Sequence, residues 1–231
     1  MKDAASIFST LLAREQPPYM FWRSPEGELR VAAGVRALHR PEQPTEWRAW
    51  LKDSLLPSGS GTPRFFDTLA SEPAAEQGAQ WDGFAGAQLW QPLMSYHACG
   101  NEETFLNLSQ ADFPDQQPEA PASAFPERGA IEISSWGGDS YRTRVHEGLE
   151  RLQASAIEKI VLARRVEVTL RSNFDPVRAI NALQQPHSFS ICYSPDGRRF
   201  FLSATPERLG RVRERHFSTM ALAGTMTRDR L

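Results

Sequence analysis

IEKIVLARRVEVTL, residues 157–170, is a run of strand-forming residues with a lysine near its start and two arginines in its middle. From Lys159 onward the apolar side chains fall on even positions, with Arg164 as the exception: Ile160, Leu162, Val166, Val168 and Leu170. This period of two predicts a β-strand whose even face packs on a hydrophobic core. Lys159 then lies on the other face beside the small side chains of Val161 and Ala163, which leave room for a ligand. The alternative is a lysine at a strand end that reaches water along its stem, and the pattern alone favours it.

The segments around this strand predict an α+β fold with large, mainly antiparallel sheets and helices packed outside them. A helix capped by Asp139 or Ser140 precedes the strand, and a second helix lies between Asp175 and Pro186. Two hairpins follow, the first around a Pro-Asp-Gly turn. In the first half of the chain, an N-terminal amphipathic helix and a hairpin over residues 19–34 lead into further short strands.

Changes in composition divide the chain into three parts. Residues 1–109 form an N-terminal α+β portion, in which Trp47 and Trp50 at helical spacing are expected in the core rather than in a cofactor site. Residues 110–129 contain four prolines and are predicted to be a linker or loop. Residues 130–231 carry the sharper helix and strand patterns and the motifs described next.

The composition excludes several classes of function. The formal net charge is −2 and the basic residues do not pool in one stretch, so nucleic-acid binding is not expected. No segment approaches the ~20 apolar residues of a membrane helix, and the N-terminus lacks the apolar core of a signal peptide. We therefore expect a soluble, cytoplasmic protein. Cys99 and Cys192 are predicted to be buried free thiols, and the five histidines show no zinc-binding spacing.

Two further segments contain candidate site residues. In ATPERLG, Thr205 and Pro206 fit the cap and first turn of a helix, and Glu207 follows a strand at a point where its carboxylate can face a cleft. A glutamate in a first helical turn more often only complements the helix dipole. In MALAGT, Gly224 allows the backbone to approach a ligand or simply forms a turn, and the Thr225 hydroxyl can donate a hydrogen bond.

Taken together, EKIVLARR (158–165), FLSATPERL (201–209) and ALAGT (221–225) resemble the chorismate-utilising enzymes, and specifically the isochorismate synthases of the menaquinone pathway. The order and approximate spacing match, and the resemblance covers residue 131 to the end. The lysine is the most informative position, because the anthranilate and aminodeoxychorismate synthases, which use an ammonia-derived nucleophile, lack it. The resemblance therefore implies chorismate as substrate and residues 130–231 as the first part of a truncated catalytic region.

The resemblance also implies roles for single residues. Lys159 activates water for attack at C2 of chorismate, Glu207 protonates the departing C4 hydroxyl, and Ala223, Gly224 and Thr225 lie against the substrate. A lysine can act as a base near neutral pH only if its ammonium form is disfavoured, and burial lowers a lysine pKa by up to ~3–5 units. Enclosure raises the pKa of a carboxyl group, which suits a proton donor.

The chain departs from the family in its length, since family members run to roughly twice as many residues. The resemblance implies Mg²⁺ for the complete enzyme, but we find no metal-ligand spacing among the acidic residues and expect no metal ligands in this chain. We therefore predict that these 231 residues alone are inactive or nearly so. An open sheet edge would also favour self-association of such a fragment.

Two alternatives stay open beside the isochorismate synthase. The first is a salicylate synthase, which adds elimination of pyruvate to the same first step. The second is a non-catalytic half that pairs with another chain to complete the fold.

Overall fold

The computed structural model describes residues 3–39, 66–68, 84, 88–108, 131–135, 138–154, 157–163, 166–170 and 173–222. The predicted helix containing Trp47 and Trp50, the Pro-rich segment 110–129 and the substrate-contact residues Ala223–Thr225 lie outside these ranges. The chain divides into two compact units, one of residues 1–122 with 176–231 and one of residues 123–175. We refer to them as the larger and the smaller unit.

The described residues form three helices and thirteen strands. The helices are α1 (Ala4–Arg14), α2 (Gly138–Ala154) and α3 (Pro176–Leu183). The first seven strands are β1 (Tyr19–Arg23), β2 (Leu29–Ala33), β3 (Ala37–His39), β4 (Phe66–Thr68), β5 (Gln88–Gln91), β6 (Met94–Cys99) and β7 (Glu102–Leu106). The other six are β8 (Ile131–Ser135), β9 (Val166–Leu170), β10 (Phe189–Ser194), β11 (Phe201–Thr205), β12 (Arg211–Arg213) and β13 (His216–Ser218).

A six-stranded sheet is the centre of the larger unit, with the strand order β11-β10-β1-β2-β6-β7. All neighbouring strands in it are antiparallel. Phe21 of β1 pairs with Cys192 of β10 on one side and with Val31 of β2 on the other. The predicted α+β fold with a mainly antiparallel sheet is therefore confirmed. Because β1 lies between β10 and β2, the sheet combines strands from the N-terminal and C-terminal parts of the chain.

One face of this sheet is covered by α1 and α3 and forms the main hydrophobic core. The apolar spacing of α1 buries Ile7, Phe8 and Leu11 completely, and Ile180 of α3 is buried beside them. The Phe8 ring meets the Phe21 ring edge to face at 5.5 Å. Because side chains alternate along a strand, the next residue on either side of Phe21 points to the opposite face.

Two tight turns confirm the predicted hairpins. Between β1 and β2, Gly27 has φ +88°, a conformation that favours glycine, and its N–H donates to the Ser24 carbonyl at 3.1 Å. Between β10 and β11, the Asp196 carboxylate accepts the N–H groups of Arg198 and Arg199, both at 2.9 Å. Backbone and guanidinium hydrogen bonds outweigh the desolvation of Asp196 and lower the pKa of its carboxyl group.

The smaller unit consists of α2, the irregular segment 157–163 and the antiparallel pair β8–β9. The predicted strand from Lys159 is therefore wrong in its first half, since regular pairing starts only at Val166. The expectation that its even positions are buried is also wrong for β9, where Val166, Val168 and Leu170 are all exposed. The physical reason is that β9 pairs only with β8 among the described strands, and a two-stranded sheet leaves both faces open. Helix α2 begins at Gly138, slightly before the predicted cap.

The two cysteines are free thiols in different environments. Cys192 is buried in the core, and burial raises the pKa of its thiol to about 12. Cys99 is exposed at the end of β6, so the prediction that both are buried is wrong for Cys99. Neither cysteine is bonded to another, as the sequence predicts. Among the described helices, none has the length and apolar character needed to cross a membrane.

Candidate functional site

A cavity of about 740 Å³ lies on the face of the six-stranded sheet opposite the helices. Its floor consists of side chains that alternate with the core residues of β1 and β10, namely Met20, Trp22, Phe189 and Ile191. Trp22 and Phe189 pack against each other with ring centroids 5.8 Å apart. The same face is closed at another place by the buried side chains of Ala32, Trp90 and Tyr193. One face of the sheet thus packs against the helices, and the other face forms the floor of a cavity that contains two aromatic side chains.

The β1–β2 turn supplies two carboxylates to the rim of the cavity. Glu28 Oε1 lies 2.7 Å from the Arg30 guanidinium and 3.0 Å from His97 Nε2. Glu26 Oε1 lies 2.5 Å from the Arg208 guanidinium. Desolvation raises the pKa of each carboxyl group, but the hydrogen bonds and charges of these partners outweigh it and leave both pKa values lowered. Both carboxylates are therefore ionised at neutral pH.

Two of the three arginines that line the cavity also stack on its aromatic floor. The Arg30 guanidinium lies over the Trp22 ring at 5.6 Å, and the Arg208 guanidinium lies over the Phe189 ring at 5.4 Å. Each arginine therefore already has a carboxylate and a ring as partners. An anionic ligand would have to compete with Glu26 and Glu28 for them.

Glu207 lies at the rim of this cavity in the segment that follows β11. Its side chain is exposed, and its backbone N–H donates to the Thr205 hydroxyl at 3.2 Å. Residues 207–210 form no helix, so the helical first turn predicted from Thr205 and Pro206 is wrong. The Thr205 side chain nevertheless makes the kind of hydrogen bond that a capping residue makes. The expected place of Glu207, after a strand and facing a cleft, agrees with the structure.

The segment that leads into ALAGT lies beside the segment of Glu207. The Met220 N–H donates to the Arg208 carbonyl at 3.1 Å, and the Thr219 hydroxyl donates to the Leu209 carbonyl at 2.8 Å. The residues directly before the third motif thus lie beside the second motif. The predicted contact residues Ala223, Gly224 and Thr225 follow directly in the chain but are outside the described residues.

Lys159 lies in the smaller unit, in the irregular segment before β9. Its side chain is exposed, so the predicted place in a sheet interior is wrong for this residue. Val161 is 80% exposed, whereas the Cδ1 atoms of Ile160 and Leu162 lie 3.9 Å from the point that a Cβ atom at Gly148 of α2 would occupy. The strand-end alternative therefore describes the environment of Lys159 better.

A magnesium site is not supported by the described residues. They include no group of three or more His, Cys, Asp or Glu side chains that could hold a metal ion. The carboxylates at the cavity are also engaged, Glu26 by Arg208 and Glu28 by Arg30 and His97. The expectation that the metal ligands of the complete enzyme come from outside this chain stays a prediction.

The sequence analysis missed the cavity and its charged rim. Trp22 and Phe189 could have been found from the alternation in YMFWR and SFSICYS, which puts an aromatic side chain on the face opposite the core in each strand. The pairing of Glu26 with Arg208 had no sequence signal, because 182 positions separate the two residues.

The sequence and the fold are those of a known family of enzymes. The sequence profile of the family described as chorismate binding enzyme matches residues 2–231. The chain therefore belongs to the chorismate-binding enzyme family, as the resemblance of its three motifs predicts. The match begins at residue 2, so it also includes the part of the chain before residue 131, which contains none of the three motifs.

Individual relatives are isochorismate synthases. The chain is 25% identical over 240 residues to the "Salicylate biosynthesis isochorismate synthase" of Pseudomonas aeruginosa, covering 92% of this chain and 49% of that protein. Its fold is similar to that of MenF, the menaquinone-specific isochorismate synthase from Escherichia coli, with a TM-score of 0.62 and 19% identity over 92% of this chain and 49% of that one. The Bacillus anthracis protein DhbC, described as a 2,3-dihydroxybenzoate-specific isochorismate synthase, gives a TM-score of 0.54 and 16% identity over 88% and 48% of the two chains. The chain thus spans about half the length of these relatives.

Proposed function

We propose that this chain carries the acid and base residues of an isochorismate synthase of the menaquinone-pathway type, which converts chorismate to isochorismate. The observation that supports it most directly is the place of Glu207, the predicted proton donor, at the rim of the cavity in a chain of the chorismate-binding family. A cytoplasmic location is part of the same proposal, since chorismate is a small metabolite of the cell interior.

In the proposed reaction, Lys159 takes a proton from water as the water oxygen attacks C2 of chorismate. The double bonds shift, and the C4 hydroxyl departs as water with a proton from Glu207. One water enters and one leaves, so the reaction is an isomerisation. Ala223, Gly224 and Thr225 would line the substrate on the side where MALAGT follows the Glu207 segment.

The exposure of Lys159 sets a condition on this role. A lysine acts as a base most readily where removal from water disfavours its ammonium form. The proposal therefore requires that Lys159 loses its contact with water when the site is complete. A surface that covers Lys159 in the complete site would also bury the apolar side chain of Val161, which lies two residues further along and is exposed.

The cavity also does not supply charge for the two carboxylates of chorismate. Two of its three arginines, Arg30 and Arg208, are held by Glu28 and Glu26, and a dianion would be repelled by those carboxylates. Neutralisation by Mg²⁺ and by basic residues that this chain does not contribute follows from the same proposal. The 231 residues by themselves should then show little or no turnover.

Product analysis tests the proposal. Chorismate is incubated with Mg²⁺ and either the 231-residue chain or the product of the complete gene, and the products are separated by chromatography. We expect isochorismate from the gene product and little or none from the 231 residues. Mg²⁺-dependent turnover by the 231 residues as a purified monomer would show that the metal site has been misplaced.

Two alternatives have an observation in their favour. The name of the Pseudomonas relative refers to salicylate biosynthesis, and a salicylate synthase would release fluorescent salicylate and pyruvate in the same assay. A non-catalytic half that pairs with another chain is favoured by the large exposure of Leu209, Val212 and Phe217, at 94, 73 and 68%. Size measurement with and without a candidate partner chain separates this possibility and self-association from a stable monomer.

A further inference from the structure

Arg208, the residue directly after Glu207, is attached to more of the larger unit than any other residue of its segment for which contacts are described. Its guanidinium reaches the β1–β2 turn, where it meets Glu26 at 2.5 Å. The Arg208 side chain is only 18% exposed, whereas that of Glu26 is 54% exposed. The arginine therefore crosses the cavity rim and is held at its far end by a carboxylate of a distant hairpin.

The path of the Arg208 side chain is fixed by the aromatic floor. The guanidinium lies over the Phe189 ring at 5.4 Å, and Phe189 packs on Trp22. Phe189 is also the strand partner of Thr205, whose hydroxyl accepts the Glu207 N–H. A planar guanidinium can stack on a ring and bind a carboxylate at once, which a lysine ammonium does less well.

The backbone of Arg208 holds the next motif. Its carbonyl accepts the Met220 N–H, so the segment leading to ALAGT is positioned by the same residue that is attached to Glu26. The 207–210 segment has no helix or strand of its own to fix it. Without the side-chain attachment of Arg208, few contacts would hold Glu207 at a constant place.

We propose that Arg208 is a positioning residue, which Glu26 and Phe189 hold in place so that Glu207 and the segment before Ala223 keep their position at the cavity. The proposal concerns the arrangement of the segment and rests on the proposed function only for the role of Glu207 as proton donor. Its consequence is that Glu26, a glutamate of the N-terminal hairpin with no part in the proposed reaction, affects the acid step.

Backbone amide hydrogen exchange on the 231-residue chain tests the positioning without any activity. In Glu26→Ala, we expect the N–H groups of Glu207 and Met220 to exchange about two- to five-fold faster, the change that loss of a partly exposed ion pair produces. The N–H of Gly34, which donates to the Pro18 carbonyl at the other end of the β1–β2 hairpin, should keep its rate. Glu28→Ala removes the other carboxylate of the same turn and is the matched control, with no acceleration at Glu207 or Met220.

Arg208→Lys keeps the positive charge of the side chain but removes the planar guanidinium group. We expect acceleration at the same two amides, and the double variant Glu26→Ala with Arg208→Lys should not exceed the larger single effect, because both changes remove one interaction. Unchanged exchange at Glu207 and Met220 in Glu26→Ala would overturn the proposal. An equal acceleration at Gly34 would overturn it as well, since Glu26 would then stabilise the hairpin as a whole.

In the active gene product, the same variants report on catalysis. A displaced acid slows the chemical step more than it weakens substrate binding, so Glu26→Ala should lower kcat several-fold with KM within about two-fold of the wild type. A rise in KM at constant kcat would contradict positioning. If Glu207→Gln itself retains full turnover, the proposed function fails, while the exchange experiment still decides whether Arg208 holds the segment.

Discussion

The segment of Glu207 and the segment of Lys159 differ in what holds them, although the proposed reaction needs both. The Glu207 segment follows β11 of the six-stranded sheet and is tied to two other parts of the larger unit by Arg208. The Lys159 segment precedes β9 in the smaller unit, and all its described side chains except the half-buried Ile160 are exposed. Among the described residues, contacts made by Arg208 hold the Glu207 segment in the larger unit, whereas the proposed role of Lys159 requires a surface that covers its segment.

The sharpest test of this comparison replaces the two groups in the active gene product. Lys159→Ala and Glu207→Gln should each lower turnover of chorismate by about 10²- to 10⁴-fold, the usual contribution of a general acid or base. Binding of chorismate should change little for Lys159→Ala, because the lysine acts on water. Near-normal turnover in either variant would remove that residue from the mechanism. The exposed carboxylates Glu102 and Glu150 provide matched Glu→Gln controls in the larger and smaller unit, with turnover close to the wild type.

A stability measurement compares the packed core with the exposed strand. Phe21→Ala should lower the free energy of unfolding by about 3–5 kcal/mol, because Phe21 is fully buried between α1 and the sheet. Val168→Ala on β9 should change it by no more than about 0.5 kcal/mol, because Val168 is 48% exposed. Urea unfolding followed by circular dichroism gives both values. A large loss in Val168→Ala would mean that β9 is covered in solution, for instance by a second copy of the chain.

The same contrast explains how much the sequence could predict. The α1 helix, the β1–β2 and β10–β11 hairpins and the α3 helix follow from local signals: apolar spacing on Ile7, Phe8 and Leu11, a glycine with positive φ at Gly27, and turn residues such as Asp196. Local signals of this kind depend only on a few neighbouring residues. The hydrophobic core against which these elements pack lies in the same unit. Element existence in the larger unit was therefore predictable.

The strand from Lys159 was wrong for a reason that the sequence does not contain. Alternation predicts which residues share a face, but only a second layer decides whether that face is buried. In the smaller unit, β8 is the only described partner of β9, and no described element covers Val166 or Val168. For the site, the position of Glu207 was predictable from its motif. The Glu26–Arg208 contact was not, because it joins residues far apart in the chain.

A smaller effect than the loss of a core side chain is expected at the charged rim, and it depends on pH. The pKa of Glu28 is lowered in the folded protein, so the unfolded chain binds a proton at this group more readily and the carboxylate stabilises the fold above its unfolded pKa of about 4.3. This contribution should disappear as the pH falls through the lower folded pKa. At pH 7, Glu28→Gln should be less stable than the wild type by about 0.5–1 kcal/mol, because it weakens the contacts with Arg30 and His97. The gap should narrow as the pH falls below the unfolded pKa of about 4.3 and should close only below the lower folded pKa, where the wild-type carboxyl group is protonated and neutral like the amide. The urea midpoints of the wild type and of Glu28→Gln at pH 7, 5 and 3.5 measure this difference in stability. A difference that stays constant with pH would show that the Glu28 charge does not stabilise this rim.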